Sequence, residues 1–172
     1  MIDTALTRSV LLFSTICAIA GIMQACASGR TSDAISMEAL LTQDGLAVWE
    51  REDAELKSKA LAAGESYKKA ESLELLKDYE SSVREYLDHG FALYRTYRDA
   101  HKTFPAGLVA SLEQRTTLFM NVADEFIKQG SIAVGESMAS DVVRDYSDLP
   151  QMAPAQRRAE AVLLRYRYRQ DY

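Results

Sequence analysis

A stripe of apolar side chains at steps of three and four runs along residues 78–102. Its members are Tyr79, Val83, Tyr86, Leu87, Phe91, Tyr94 and Tyr97. That spacing places them on one face of a helix, whereas a half-buried strand needs a period of two. The same period recurs downstream. Residues 106–129 carry Leu108, Leu112, Phe119, Val122 and Phe126. Residues 131–146 carry Ile132, Gly135, Ala139, Val142, Val143 and Tyr146. The segment from Pro154 on carries Ala159, Val162, Leu163 and Tyr166. Pro105 separates the first two stripes, Gly130 is placed to cap the second, and Leu149-Pro150 closes the third. Pro154 suits the first turn of a helix.

Upstream the stripes are thinner. A first helix is expected over residues 35–48, interrupted at Asp44-Gly45. Two further pieces are expected over 50–63 and 65–77, with Gly64 as the break between them. Five or six helices joined by short links make antiparallel neighbours, and nowhere does a useful run of strand alternation appear. The expectation is an all-α domain over residues 34–172, built of antiparallel helical hairpins.

Two arrangements fit that description: an up-and-down bundle and a stack of repeats. Residues 116–150 resemble a tetratricopeptide repeat, a 34-residue helix pair. Ala123, Gly135 and Ala139 stand where that family has small residues at the helix crossing, Phe119 and Phe126 where it has aromatics, and Pro150 near its closing proline. Residues 63–94 match more loosely through Ala70, Tyr79 and Tyr86. However, His89 replaces a small residue there, and the two frames start 53 residues apart, which breaks a 34-residue phase. The resemblance implies repeat-like hairpins, with the last helix as a cap.

The N-terminal segment reads as an address. Residues 9–23 form a fifteen-residue uncharged run, SVLLFSTICAIAGIM, preceded by Arg8. This is the length of a secretory signal's apolar core and is short for a spanning helix, which needs about 20 residues. Ile22-Met23-Gln24-Ala25-Cys26 follows at its end. These residues resemble the lipobox of bacterial lipoproteins, in which a small residue precedes the cysteine that is acylated and becomes the first mature residue. The resemblance implies a signal peptide over residues 1–25, a lipidated Cys26 with a tether to residue 33, and no other cofactor. Ordinary cleavage at Ala25-Cys26-Ala27 and an uncleaved anchor are the alternatives. The cysteine count favours lipidation. Cys17 and Cys26 are the only two cysteines, and processing at Cys26 leaves one thiol with a use, whereas ordinary cleavage discards both. Bacterial lipoproteins with Asp after the cysteine tend to stay at the inner membrane, and since Ala27 follows Cys26 the resemblance implies the inner leaflet of the outer membrane, facing the periplasm. A multiply acylated cysteine is a stable anchor, because one chain alone binds marginally. The seven-residue tether reaches at most ~25 Å.

Composition excludes several function classes. A net charge of −5 and a pI near 5.1 give no electrostatic footprint for nucleic acid. His89 and His101 are twelve residues apart and fit no zinc spacing. No nucleophile elbow or phosphate-binding glycine loop is present, so a catalytic role is not expected. The acidic cluster Glu50, Glu52, Asp53 and Glu55 reads as solvated helix surface.

Two features point to recognition instead. Five of the nine tyrosines fall between residues 67 and 97, which makes Tyr79, Tyr86, Tyr94 and Tyr97 candidates for an aromatic groove. At the C-terminus, Arg157, Arg158, Arg165, Arg167 and Arg169 stand with Tyr166 and Tyr168, an Arg/Tyr mixture typical of interface hot spots. Arginines near a helix C-terminus are also favoured by the macrodipole alone. The functional expectation is a non-catalytic scaffold or assembly factor that binds another cell-envelope protein. The alternative is a carrier of a small amphiphile or glycan in a cavity of the bundle.

Overall fold

The computed structural model describes residues 37–167, with side chains over 38–165. The signal segment, Cys26 and the tether lie outside the described residues, as do Tyr168 and Arg169 and the side chains of Tyr166 and Arg167. The described residues form six α-helices and no strand: α1 (Met37–Leu40), α2 (Gln43–Ala70), α3 (Leu73–Asp99), α4 (Leu108–Lys128), α5 (Ile132–Asp145) and α6 (Ala153–Arg167). A 3-10 turn over Pro150–Met152 leads into α6. The described residues are all-α, as the periodicity predicts, and successive helices pack as antiparallel neighbours.

Each helix packs on the next, and α4 also touches α6. By contrast, α2 touches neither α5 nor α6. The helices therefore form a row rather than a ring in which first meets last. Long side chains bridge alternate helices. Tyr67 on α2 donates to Glu125 on α4 at 3.1 Å, and Arg84 on α3 donates to Asp141 on α5 at 2.9 Å. The core runs along the row through Leu76, Val83, Leu87, Phe91, Leu112, Phe119, Phe126, Met138 and Met152, all essentially inaccessible to solvent.

The boundaries downstream of Pro105 fall where the stripes place them. α4 ends in a Schellman motif. Gly130 takes φ +82, its amide reaches Ile127 O at 3.0 Å, and Ser131 N reaches Phe126 O at 2.8 Å. Upstream the expectation needs correction. α2 runs unbroken through Gly64, and the 65–77 and 78–102 pieces do not exist as drawn. Gly64 serves packing instead: a Cβ there would lie 2.9 Å from the Tyr79 ring of α3. A glycine inside a helix costs about 1 kcal/mol against alanine, which close packing offsets. The break comes at Glu71-Ser72. Glu71 adopts φ +47 with its amide on Tyr67 O at 2.7 Å, and Ser72 Oγ accepts from Leu75 N at 3.3 Å as the N-cap of α3. Likewise the first interruption lies at Leu41-Thr42, not at Asp44-Gly45. Thr42 caps α2 by accepting from Gly45 N at 3.1 Å.

The α4–α5 crossing shows why small residues stand there. Ala123 and Ala139 are fully buried, and a Cβ on Gly135 would meet the Ala123 carbonyl oxygen at 2.8 Å. That oxygen belongs to backbone and cannot rotate away. Gly135→Val is therefore expected to force the two helices apart and to lower stability by roughly 1–3 kcal/mol in urea unfolding. A loss under about 0.5 kcal/mol, the ordinary surface range, would show that the crossing is looser than described.

Candidate functional site

The tyrosines do not assemble into a groove. Tyr86, Tyr94 and Tyr97 are buried, and Tyr79 is half-buried. Each turns to a different neighbour. Tyr79 lies against Gly64 and 6.4 Å from the Tyr67 ring. Tyr86 lies beneath the Arg115 guanidinium at 3.8 Å. Tyr94 packs edge-on to Phe91 at 6.1 Å and against Phe104 at 5.1 Å. Tyr97 donates to Leu40 O at 3.4 Å. One face of α3 is thus shared among α1, α2 and α4, and the rings are occupied by intramolecular packing. The reason is plain in the periodicity: a stripe that continuous is a core stripe.

Burial shapes the acid–base behaviour of these phenols. Burial first, and the Asp88 carboxylate that accepts from its hydroxyl second, push Tyr146 well above the usual value of 10.0; burial likewise raises Tyr79. A raised phenol keeps its proton in the fold longer than in the unfolded chain. Below pH 10 both states are protonated and stability is unaffected. As pH rises from 10 toward the folded value, only the unfolded chain ionises, so stability falls. Thermal melts at pH 8 and pH 11 should show that loss, and Tyr146→Phe should reduce it. Equal pH slopes in the two proteins would remove Tyr146 as a cause.

The polar centre of the molecule was not expected. Arg115 on α4 is buried to all but 2% of its surface. Its Nη2 donates to Asp53 Oδ2 at 2.7 Å, its Nη1 to Tyr86 O at 2.6 Å, and its Nε to Ser111 Oγ at 3.0 Å. Asp53 Oδ1 also lies 2.7 Å from Nη1, an ion-pair contact without hydrogen-bond alignment. The guanidinium is stacked over Tyr86 and lies 5.8 Å from the Trp49 ring. Gly90 leaves room for it, since a Cβ there would meet Nη1 at 2.8 Å. A cavity of about 210 Å³ adjoins the pair, bounded by Trp49, Glu50, Leu93, Gly107 and Leu108.

One signal for this pair was present in the sequence. Arg115 follows Leu112 by three and precedes Phe119 by four, so it occupies an inward position of the α4 stripe. Asp53 accordingly departs from the acidic cluster, whose Glu50 and Glu55 remain exposed as expected. Chemically the pair is closed: the cation is held by a carboxylate, a carbonyl and a hydroxyl. It joins α2, α3 and α4, a structural role.

The histidines are similarly accounted for. His89 stacks on Trp49 with centroids 4.9 Å apart and planes within 3°, and Trp49 Nε1 donates to His89 O at 3.3 Å. His101 sits exposed in a left-handed turn after α3. Among the described residues no group of His, Cys, Asp or Glu is placed to hold a metal ion, and no helix is long and apolar enough to cross a membrane.

The C-terminal arginines do frame an open feature. A cleft of about 320 Å³ runs between the end of α4 and α6, lined by Asp124, Ile127, Lys128, Arg158, Ala161, Val162 and Arg165. Arg158 donates to Asn121 at 2.8 Å and pairs with Asp124, so it ties α6 to α4. Lys128 bonds to Glu125 at 2.5 Å. Arg165 and Arg157 are exposed, as are Ala161 and Leu164 on the same stripe of α6. Of the seven residues expected at an interface, Arg157, Arg158 and Arg165 are thus placed on or beside this cleft. Tyr166 and Arg167 contribute only backbone to the description, and Tyr168 and Arg169 lie beyond it. Compared with protein-family models, curated proteins and solved structures, the chain matches none.

Proposed function

We propose that this protein is a lipid-anchored, non-catalytic scaffold of the bacterial cell envelope that binds another envelope protein through the exposed face of its last helices. The observation that carries the reading is the α4–α6 cleft. It is an open surface feature with apolar floor and cationic rim at the end of a helical row whose interior is filled by its own side chains. Helix pairs with such a groove recognise partners by shape and charge. The lipobox-like Ile22–Cys26 segment supports anchoring, and the absence of Asp after Cys26 supports the outer membrane's periplasmic side. The row of antiparallel hairpins is in keeping with a repeat-like body whose last helix, α6, serves as its end.

The test is a pulldown of the full chain from detergent-solubilised membranes, with Cys26→Ala as control. The scaffold reading expects one envelope protein to be retained stoichiometrically by the wild-type chain, and less by the variant, which is no longer held at the membrane. A lipidated chain that comes down with a bound amphiphile or glycan and no protein would overturn it in favour of a carrier.

A further inference from the structure

We infer that the α4–α6 cleft is a docking groove for an acidic amphipathic helix of the partner protein, an inference that rests on the scaffold reading above. Three observations carry it. The first is charge. Lys128, Arg158 and Arg165 line the cleft; Lys128 is paired with Glu125 and Arg158 with Asp124, which leaves Arg165 as the lining cation with no partner among the described residues. Residues 156–172 hold five arginines and two acids, in a chain whose total is −5. An acidic occupant is therefore complementary to this end of the molecule and would be repelled by much of the rest, which fixes where it docks.

The second observation is shape. Arg158, Ala161, Val162 and Arg165 follow one another at i, i+3, i+4 and i+7, so the α6 wall of the cleft is a straight helical stripe. It is about 10 Å long at 1.5 Å per residue, the rise of two turns of a helix laid alongside. Ala161 makes a gap between the two arginines into which a larger apolar side chain fits, over a floor of Ile127 and Val162. The third is unsatisfied apolar surface. Leu164 is 55% exposed, and Ala161 beside it is exposed too, flanked by Arg157 and Arg165. Leu164 and Arg157 lie beside the cleft rather than in its lining, so the exposed apolar surface continues from Ala161 onto the outer face of α6 with a cation at each end, in keeping with a helix that has leucines on one face bordered by glutamates.

The test uses the full-length chain in detergent and a fluorescein-labelled helical peptide with leucines at i, i+3/i+4 and i+7 and glutamates at the flanking positions. Fluorescence anisotropy should show saturable binding that weakens as salt rises. Lys128→Glu with Arg165→Glu should weaken it roughly tenfold or more. Ala161→Trp, which fills the gap without altering charge, should abolish it. The helical circular dichroism of each variant checks that it folds. Equal binding of a glutamine-for-glutamate peptide, or no loss with either variant, overturns the proposal. So does binding of the same residues to phosphatidylglycerol vesicles without binding to the peptide, which assigns the cleft to anionic lipid. The membrane pulldown separates this inference from the scaffold reading. If the charge-reversed chain still retains its envelope partner, the groove is wrong and the chain is a scaffold that binds through another surface; if the wild type retains none, the scaffold reading itself falls.

Discussion

Replacing Asp53 by alanine should cost about 3–5 kcal/mol, far more than its place in a mostly solvated acidic cluster suggests. The side chain it leaves behind is Arg115, 1% exposed and unable to shed its proton. A buried lysine or carboxylate deprived of its partner can neutralise itself by a shifted pKa; a guanidinium cannot. It retains the Tyr86 carbonyl and the Ser111 hydroxyl, which solvate the charge only in part. The comparison that isolates the charge is the double variant Asp53→Leu/Arg115→Met. With both charges gone and similar volume kept, it should recover most of the loss, since buried ion pairs contribute little net stability over apolar replacements. Urea unfolding of the wild type, Asp53→Leu, Arg115→Met and the double variant closes the cycle. If Asp53→Ala alone lost less than about 1 kcal/mol, Arg115 would have to be hydrated through the neighbouring cavity, and the pair would not be the tie between helices described above.

Phe91→Ala should lose about as much, roughly 3–5 kcal/mol, by a different route. Phe91 is wholly inaccessible and sits in the C-terminal half of α3, 4.8 Å from the Tyr146 ring and 6.1 Å from that of Tyr94, with the Arg95 guanidinium 5.7 Å above it. Truncation leaves a void bounded by side chains from α3 and the end of α5, which are fixed by their own bonds. Arg95 holds Asp145 O at 2.9 Å, and Tyr146 is bonded to Asp88. The site cannot collapse easily, which places the loss toward the upper end. Expressed as a melting temperature, this is a fall of roughly 10–20 °C for a domain of this size. Phe91→Leu, which keeps most of the volume, should cost well under half of that. Equal losses for Leu and Ala would mean that ring geometry, not volume, holds the site.

How much of this was legible in the residues depended on punctuation. Around α4 and α5 the breaks fall on residues that cannot continue a helix or that end one readily: Pro105 before Gly107, then Gly130, then Pro150. Those helices were read to within a few residues. Between α2 and α3 the punctuation misleads. Gly64 looks like a break and is a packing contact, whereas the real turn uses Glu71, which bears the small cost of a left-handed backbone because Ser72 caps the next helix. The signal for it was Ser72 ahead of Leu73, Leu75 and Leu76 with Glu74 in the first turn, a capping pattern outweighed by the glycine.

Interior chemistry was less legible. An arginine on an apolar stripe registers as a gap in hydrophobicity, and this masks Arg115, although its step from Leu112 and to Phe119 is that of a core residue. Its partner lies 62 residues earlier in a cluster that is otherwise solvated. Pairing across that distance is a tertiary fact that periodicity does not encode. The tyrosines erred the other way. Their number suggested a surface for binding, but a stripe at unbroken helical spacing buries itself, and their hydroxyls end on neighbours such as Leu40 O and Glu125. Of the α6 arginines, Arg158 is taken up in tying α6 to α4, whereas Arg157 and Arg165 remain exposed near Leu164.

We propose that this helical row works at a membrane through a lipid on Cys26. The most direct test is intact mass and N-terminal peptide analysis of the chain purified from bacterial membranes. Lipidation predicts a chain that begins at Cys26 and carries a diacylglyceryl group with a further acyl chain. A chain cleaved after Ala27, or one still beginning at Met1 with Cys26 as a free thiol, would contradict it.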